Sequence, residues 1–216
     1  MPQSKRKNNL FLWLFLSVGI AVQAITFYIA DESVISLVCG VLGICSVVLC
    51  SQGNILTFAF GFSQILTYSY ICFTEQLYGT LVLNAYYFVT QIYGVYEWRK
   101  RTTHLTVTTR KLSYRIASLI AIAIVLVSLL TGWVLSTTND SQPYLDAFTT
   151  VPALVAQVLM ILAYREQWYI WFLIDVLYVV IWARAGNWCL FAQHVFWCIN
   201  CVCGFLTWSK TLQSRA

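Results

Sequence analysis

Charge is what this chain has least of: among its 216 residues only 10% are Asp, Glu, Lys or Arg, while 60% are hydrophobic. With a mean hydropathy of +0.73, a soluble domain of this size could not clothe its surface, so an integral membrane protein is expected. Sustained period-two alternation is missing too, which argues against a β-barrel. No Gly-rich phosphate loop with its lysine occurs, which argues against a primary ATP-driven pump. The eight cysteines lie within or beside apolar stretches, away from the loops of a secreted disulfide framework, and read as small packing residues. Histidine is scarce, at two residues. His194, Cys198 and Cys201 share one helical face at a spacing that can ligate zinc or copper. The other histidine, His104, falls in a loop, and no nucleophile motif of known hydrolase form accompanies His194. The expectation is therefore no metal, no cofactor and no enzyme.

What is present is apolar length. Stretches able to cross a hydrocarbon core of about 30 Å recur at residues 10–30, 34–50, 54–73, 77–97, 115–135, 145–164, 168–184 and 188–208. They predict an all-α membrane protein of eight transmembrane helices. With the N-terminus inside, Lys5, Arg6, Lys7, Arg99, Lys100, Arg101, Arg110, Lys111, Arg115, Arg165, Lys210 and Arg215 fall on one side and only Arg184 on the other. That asymmetry predicts two cytoplasmic termini and explains the net charge of +5 as an orientation signal rather than a nucleic-acid footprint. The basic start and long first apolar core, without a small-residue cleavage site near Tyr28, read as a retained helix and not a signal peptide.

Polar residues at membrane depth are the informative exceptions. Asp175 interrupts the apolar run QWYIWFLIDVLYVVIWA from Gln167 to Ala183. A carboxylate there costs roughly 3 kcal/mol on insertion scales and is expected to face a protein interior or a wet cavity. At helical spacing it shares a stripe with Trp168, Trp171, Tyr178 and Trp182. Asn84, Tyr87 and Gln91 form another face, His194, Trp197 and Cys201 a third, and Gln64 and Tyr68 a pair four apart; Gln157, Gln193 and Asn200 are further mid-membrane polar residues. Amides that both donate and accept, aromatic faces and one acid suit a flat polar organic solute, and a cationic ring in particular.

The two halves also repeat. At an offset of 110 residues Asn84, Tyr87, Gly94 and Trp98 fall on His194, Trp197, Gly204 and Trp208. Extending the match backwards gives a plan of one plus three plus one plus three helices. Residues 1–33 hold a cytoplasmic N-terminus and an extra helix, 34–98 a first three-helix repeat, and 99–144 a basic cytoplasmic loop, a linker helix and an external loop. A second three-helix repeat, 145–208, is followed by a cytoplasmic tail, 209–216. A single helix between the units makes the repeats parallel, as in SWEET-like sugar carriers. Gly79, Gly94, Pro152, Gly186 and Gly204 are candidate flex or close-packing points.

The residues QILTY (64–68), LYGTLVLNAYY (77–87), YGVYEW (93–98), LDAFTT (145–150) and YREQWYIW (164–171) together resemble the PnuC family of bacterial nicotinamide riboside transporters, over nearly all of the chain after the first helix. The second repeat departs from the YGxxxW pattern with Cys203 in place of its tyrosine. The resemblance implies uptake of nicotinamide riboside by facilitated diffusion through the inner membrane, trapping by a cytoplasmic nicotinamide riboside kinase, and a homotrimer. It also implies that Trp168, Trp171 and Tyr178 enclose the substrate while Asn84, Gln64, Gln91 and Asp175 hydrogen-bond its carboxamide or ribose. Tyr68, Tyr87, Trp182, His194 and Trp197 complete the expected binding set. Carriage of another nucleoside or vitamin precursor, or ligand sensing by a membrane receptor with the loop after Trp98 as its output, are the alternative functions.

Overall fold

The computed structural model describes residues 3–30, 33–74, 78–103, 105–138, 142–185 and 188–213. They form eight helices: α1 (Gln3–Ala30), α2 (Val34–Ser51), α3 (Thr57–Thr74), α4 (Tyr78–Arg101), α5 (Tyr114–Leu135), α6 (Pro143–Ile161), α7 (Gln167–Ala185) and α8 (Trp188–Gln213). The eight apolar stretches are thus eight helices. Four contain segments long and apolar enough on their own to cross a membrane: α2, α5, α6 and residues 191–212 of α8. In α3, α4 and α7, amides, hydroxyls and aromatic rings dilute the hydropathy. Local chemistry sets several starts. Ser33 and Ser113 accept hydrogen bonds from the backbone N–H of Ser36 and Ile116, capping α2 and α5, and Pro143 opens α6 where no N–H partner is needed.

One end of the molecule is built twice. After α2 the chain turns through Gly53 at φ +64°, and after α6, 110 residues later, it turns through Ala163 at φ +59°. That left-handed residue stops α6 at Ile161, short of the residue 164 expected from hydropathy. The α4–α5 connection, in the loop where no strand was expected, forms a small antiparallel hairpin of β1 (Thr102–Thr103) and β2 (Thr106–Val107), and continues as a strap joining both turns. Val107 N–H donates to the Gly53 carbonyl at 2.8 Å and Ile55 N–H to Leu105 at 3.0 Å. Arg110 exchanges backbone bonds of 2.7 and 3.0 Å with Ala163 and Arg165, while Thr109 Oγ1 donates to the Trp208 carbonyl at 2.9 Å. The strap therefore brings together the C-terminal ends of α2, α4, α6 and α8, which all point the same way. Arg99, Lys100, Arg101, Arg110, Lys111, Arg165 and Lys210 gather at this end; Arg184 closes α7 at the other.

Contacts beneath the strap recur at the same offset. Trp98 Nε1 donates to the Met160 carbonyl at 3.1 Å and Trp208 Nε1 to the Cys50 carbonyl at 3.0 Å, each indole reaching across to the other half. Both indoles are fully buried and meet with ring centroids 5.9 Å apart. Phe58 packs edge-on to Trp98 at 5.0 Å, and Trp168 edge-on to Trp208 at 5.6 Å. Gly94 and Gly204 admit these rings: a Cβ would lie 2.6 Å from Phe58 Cε1 at the first and 2.5 Å from Trp168 Cε2 at the second. Of the other flex candidates, Gly79 lies in the first turn of α4, Pro152 inside α6, and Gly186 outside the described residues.

The remaining two helices flank this core. α1 packs on α2 and α8, with Gln23 against Gly40 and Phe15 stacked on Phe196. α5 packs on α6 through Gly132 against Tyr144 and leaves Leu119, Ile122, Leu126 and Leu130 exposed, as a lipid-facing surface requires.

Candidate functional site

Beneath the indole layer, on the side away from the strap, lies a cavity of about 360 Å³ lined from six helices. α7 contributes most. Trp168, Trp171, Asp175 and Tyr178 follow one another at three, four and three residues, so four of the five members of the stripe read from sequence face one space, and Trp182 does not. α8 adds His194, Trp197 and Cys201; α4 adds Tyr87 and Gln91; α3 adds Thr57, Gly61 and Gln64. α2 supplies Gly43, Ser46 and Cys50, and α6 supplies Gln157 and Met160. The volume falls within the roughly 300–1,000 Å³ of small-molecule pockets.

The acid is held by two neighbours on α8. Asp175 Oδ1 lies 3.1 Å from His194 Nδ1, and Cys201 Sγ donates to Oδ2 at 3.7 Å. His194 is stacked on Tyr178, with centroids 4.7 Å apart, and meets Trp197 edge-on at 4.9 Å. Gln157 Nε2 donates weakly to Thr90 Oγ1 at 3.4 Å. Ser46 and Thr57 each donate to the other's backbone carbonyl, at 2.9 and 2.8 Å. Other polar atoms at the wall have no hydrogen-bond partner among the described residues: Gln91 Oε1, Trp168 Nε1 and Trp197 Nε1. Buried polar groups normally find partners, so these two indole donors and one amide acceptor stand unsatisfied among the lining residues.

Three residues of the sequence-derived set stand elsewhere. Asn84 is buried on α4, but its Nδ2 donates to Cys72 Sγ at 3.8 Å and it borders a separate apolar groove between α3 and α4. Tyr68 and Trp182 are outside the cavity lining. Conversely, Ser46, Thr57 and Gln167 line the cavity without having been singled out. Thr57 and Gln167 are equivalent under the 110-residue offset, which is the signal that could have found them.

Eight helices, six of them around a cavity of aromatic faces, amides and one acid, make the fold of a multi-pass membrane carrier for a small molecule. The family model described as nicotinamide mononucleotide transporter matches residues 33–210, and the chain belongs to the PnuC family. Among its relatives, the nicotinamide riboside transporter PnuC of Neisseria mucosa is 32% identical, over 95% of this chain and 82% of its own length. The namesake of Haemophilus influenzae is 26% identical, over 93% and 90%. A crystal structure of the vitamin B3 transporter PnuC superposes with a TM-score of 0.78 at 30% identity, over 95% of this chain and 93% of that one. These relatives are named as transporters.

Proposed function

We propose that this chain carries nicotinamide riboside across the membrane, binding it in the cavity between the two three-helix units. The observation that carries the reading is the charge of the lining: Asp175 is present, and no Lys or Arg is among the lining residues. A pyridinium nucleoside presents a flat cationic ring that suits Trp168, Trp171, Tyr178 and the nearby carboxylate. The corresponding mononucleotide adds a phosphate of about −1.5 to −2 charge near pH 7. Beside Asp175 and with no cation to meet it, that group is repelled, so the riboside is the better substrate. Gln64, Gln91 and Gln157 supply donors and acceptors for carboxamide and ribose.

The repeated contacts support a mechanism in which residues 34–98 and 145–208 rock against each other, with the indole layer closing the strapped end, and expose the cavity to each side in turn. Movement is by facilitated diffusion, with net uptake drawn by phosphorylation in the cytoplasm by a nicotinamide riboside kinase. The strapped, cation-rich end faces the cytoplasm of the inner membrane, with both termini on that side, and the carrier assembles as a homotrimer. Radiolabelled nicotinamide riboside is expected to equilibrate into proteoliposomes holding only this protein, while the labelled mononucleotide stays outside. Failure of the riboside to enter overturns the proposal.

A further inference from the structure

The Asp175–His194 pair is the least explained part of the cavity. Both residues are buried, at 6% and 8% exposure, and their side chains meet at 3.1 Å. The titratable groups around them are Tyr178 on α7, Cys198 and Cys201 on α8, Tyr87 on α4, Tyr68 on α3 and Cys50 on α2. All of these side chains are ordinarily neutral near pH 7. With no Lys, Arg or Glu among the lining residues, this pair sets the charge of the cavity. It carries one negative charge when the imidazole is neutral and none when one more proton is bound.

We propose that the Asp175–His194 pair is a proton-binding site that competes with the cationic ring of the substrate. The inference rests on the reading that the substrate is a pyridinium nucleoside. A carboxylate inside a membrane protein without a positive partner is costly, and a proton shared with His194 removes that cost. The cationic ring brings its own positive charge and favours the pair with the proton gone. Proton and substrate thus alternate as the countercharge of Asp175.

Linkage makes the effect reciprocal: if substrate expels a proton, protons weaken substrate binding by the same factor. Where the free carrier holds the proton, affinity falls by up to about tenfold for each pH unit of acidification. In uptake the change appears in KM, because saturating substrate displaces the proton.

The test is titration calorimetry of the purified full chain with nicotinamide riboside in phosphate and in Tris, buffers of different ionisation heat, between about pH 5 and 8, where imidazole changes charge. The expected result is release of up to one proton per molecule bound and an affinity that rises with pH. The uncharged dihydro form of the same nucleoside should bind without either effect. Asp175→Asn should abolish the pH slope. Riboside binding with buffer-independent heat and the same affinity across the range overturns the inference while leaving the substrate reading standing. Absence of riboside binding at every pH overturns both. Because the wild-type protein alone decides between these outcomes, a poorly folded variant does not.

Discussion

At the scale of single residues, the cavity separates two kinds of polar side chain that look alike in sequence. Trp171 lines the space beside Asp175, whereas Asn84 spends its amide on Cys72 at the edge of a different groove. Trp171→Ala removes an aromatic face from a desolvated cation, worth about 1–2 kcal/mol, and is expected to weaken riboside binding by about tenfold. Asn84→Ala should leave affinity within about threefold and lower thermal stability instead, by the roughly 1 kcal/mol of a buried hydrogen bond. Equal affinity losses in a calorimetric comparison would contradict this division. Helical periodicity places Asp175, Tyr178 and the tryptophans on one stripe, but it does not say which wall of an all-round apolar helix meets the cavity. Asn84 is therefore ambiguous from spacing alone. Ser46 and Thr57 are nearly invisible in sequence because small hydroxyls satisfied by each other's carbonyls cost little to bury.

At the scale of elements, hydropathy identifies the helices because each must satisfy its own backbone in the bilayer, but it is blind to the turns that end them. Gly53 and Ala163 occupy equivalent left-handed positions with unequal side chains. A Cβ there costs about 1–2 kcal/mol, partly offset in Ala163→Gly by the greater freedom of glycine in the unfolded chain. Ala163→Gly is expected to raise the melting temperature in detergent by about 2 °C, and Gly53→Ala to lower it; a fall in both would show that packing around the methyl group of Ala163 outweighs its strain. The matched glycines make a second contrast. In Gly204→Ala the new methyl group presses on Trp168, a cavity wall, while in Gly94→Ala it presses on Phe58, which does not line the cavity. Both substitutions should cost about 1–3 kcal/mol of stability through overpacking. Only Gly204→Ala should also weaken riboside binding, and affinity measured on the folded fraction of each variant distinguishes them.

At the scale of the whole molecule, hydrogen bonds between the two halves gather at the strapped end, with Tyr86 to Leu154, Gln157 to Thr90 and Asn200 to Val47 the described ones that cross along the helices. The strap ties Gly53 to Val107 and Ala163 to Arg110, and the indoles of Trp98 and Trp208 reach across to Met160 and Cys50. Access to the cavity from this end requires the units to part, and parting breaks both indole bonds, because donor and acceptor lie on opposite units. Trp208→Phe keeps an aromatic ring but removes one bond, so the closed arrangement loses about 1 kcal/mol while the parted one loses nothing. The population open at the strapped end should then rise roughly fivefold. Cys201, on the cavity wall beneath, reports it. In a variant with Cys201 as its only cysteine, an impermeant maleimide applied to the strapped face should label Trp208→Phe several times faster than the parent. Faster labelling from the opposite face, or none at all, would mean that the indole layer does not hold this end shut.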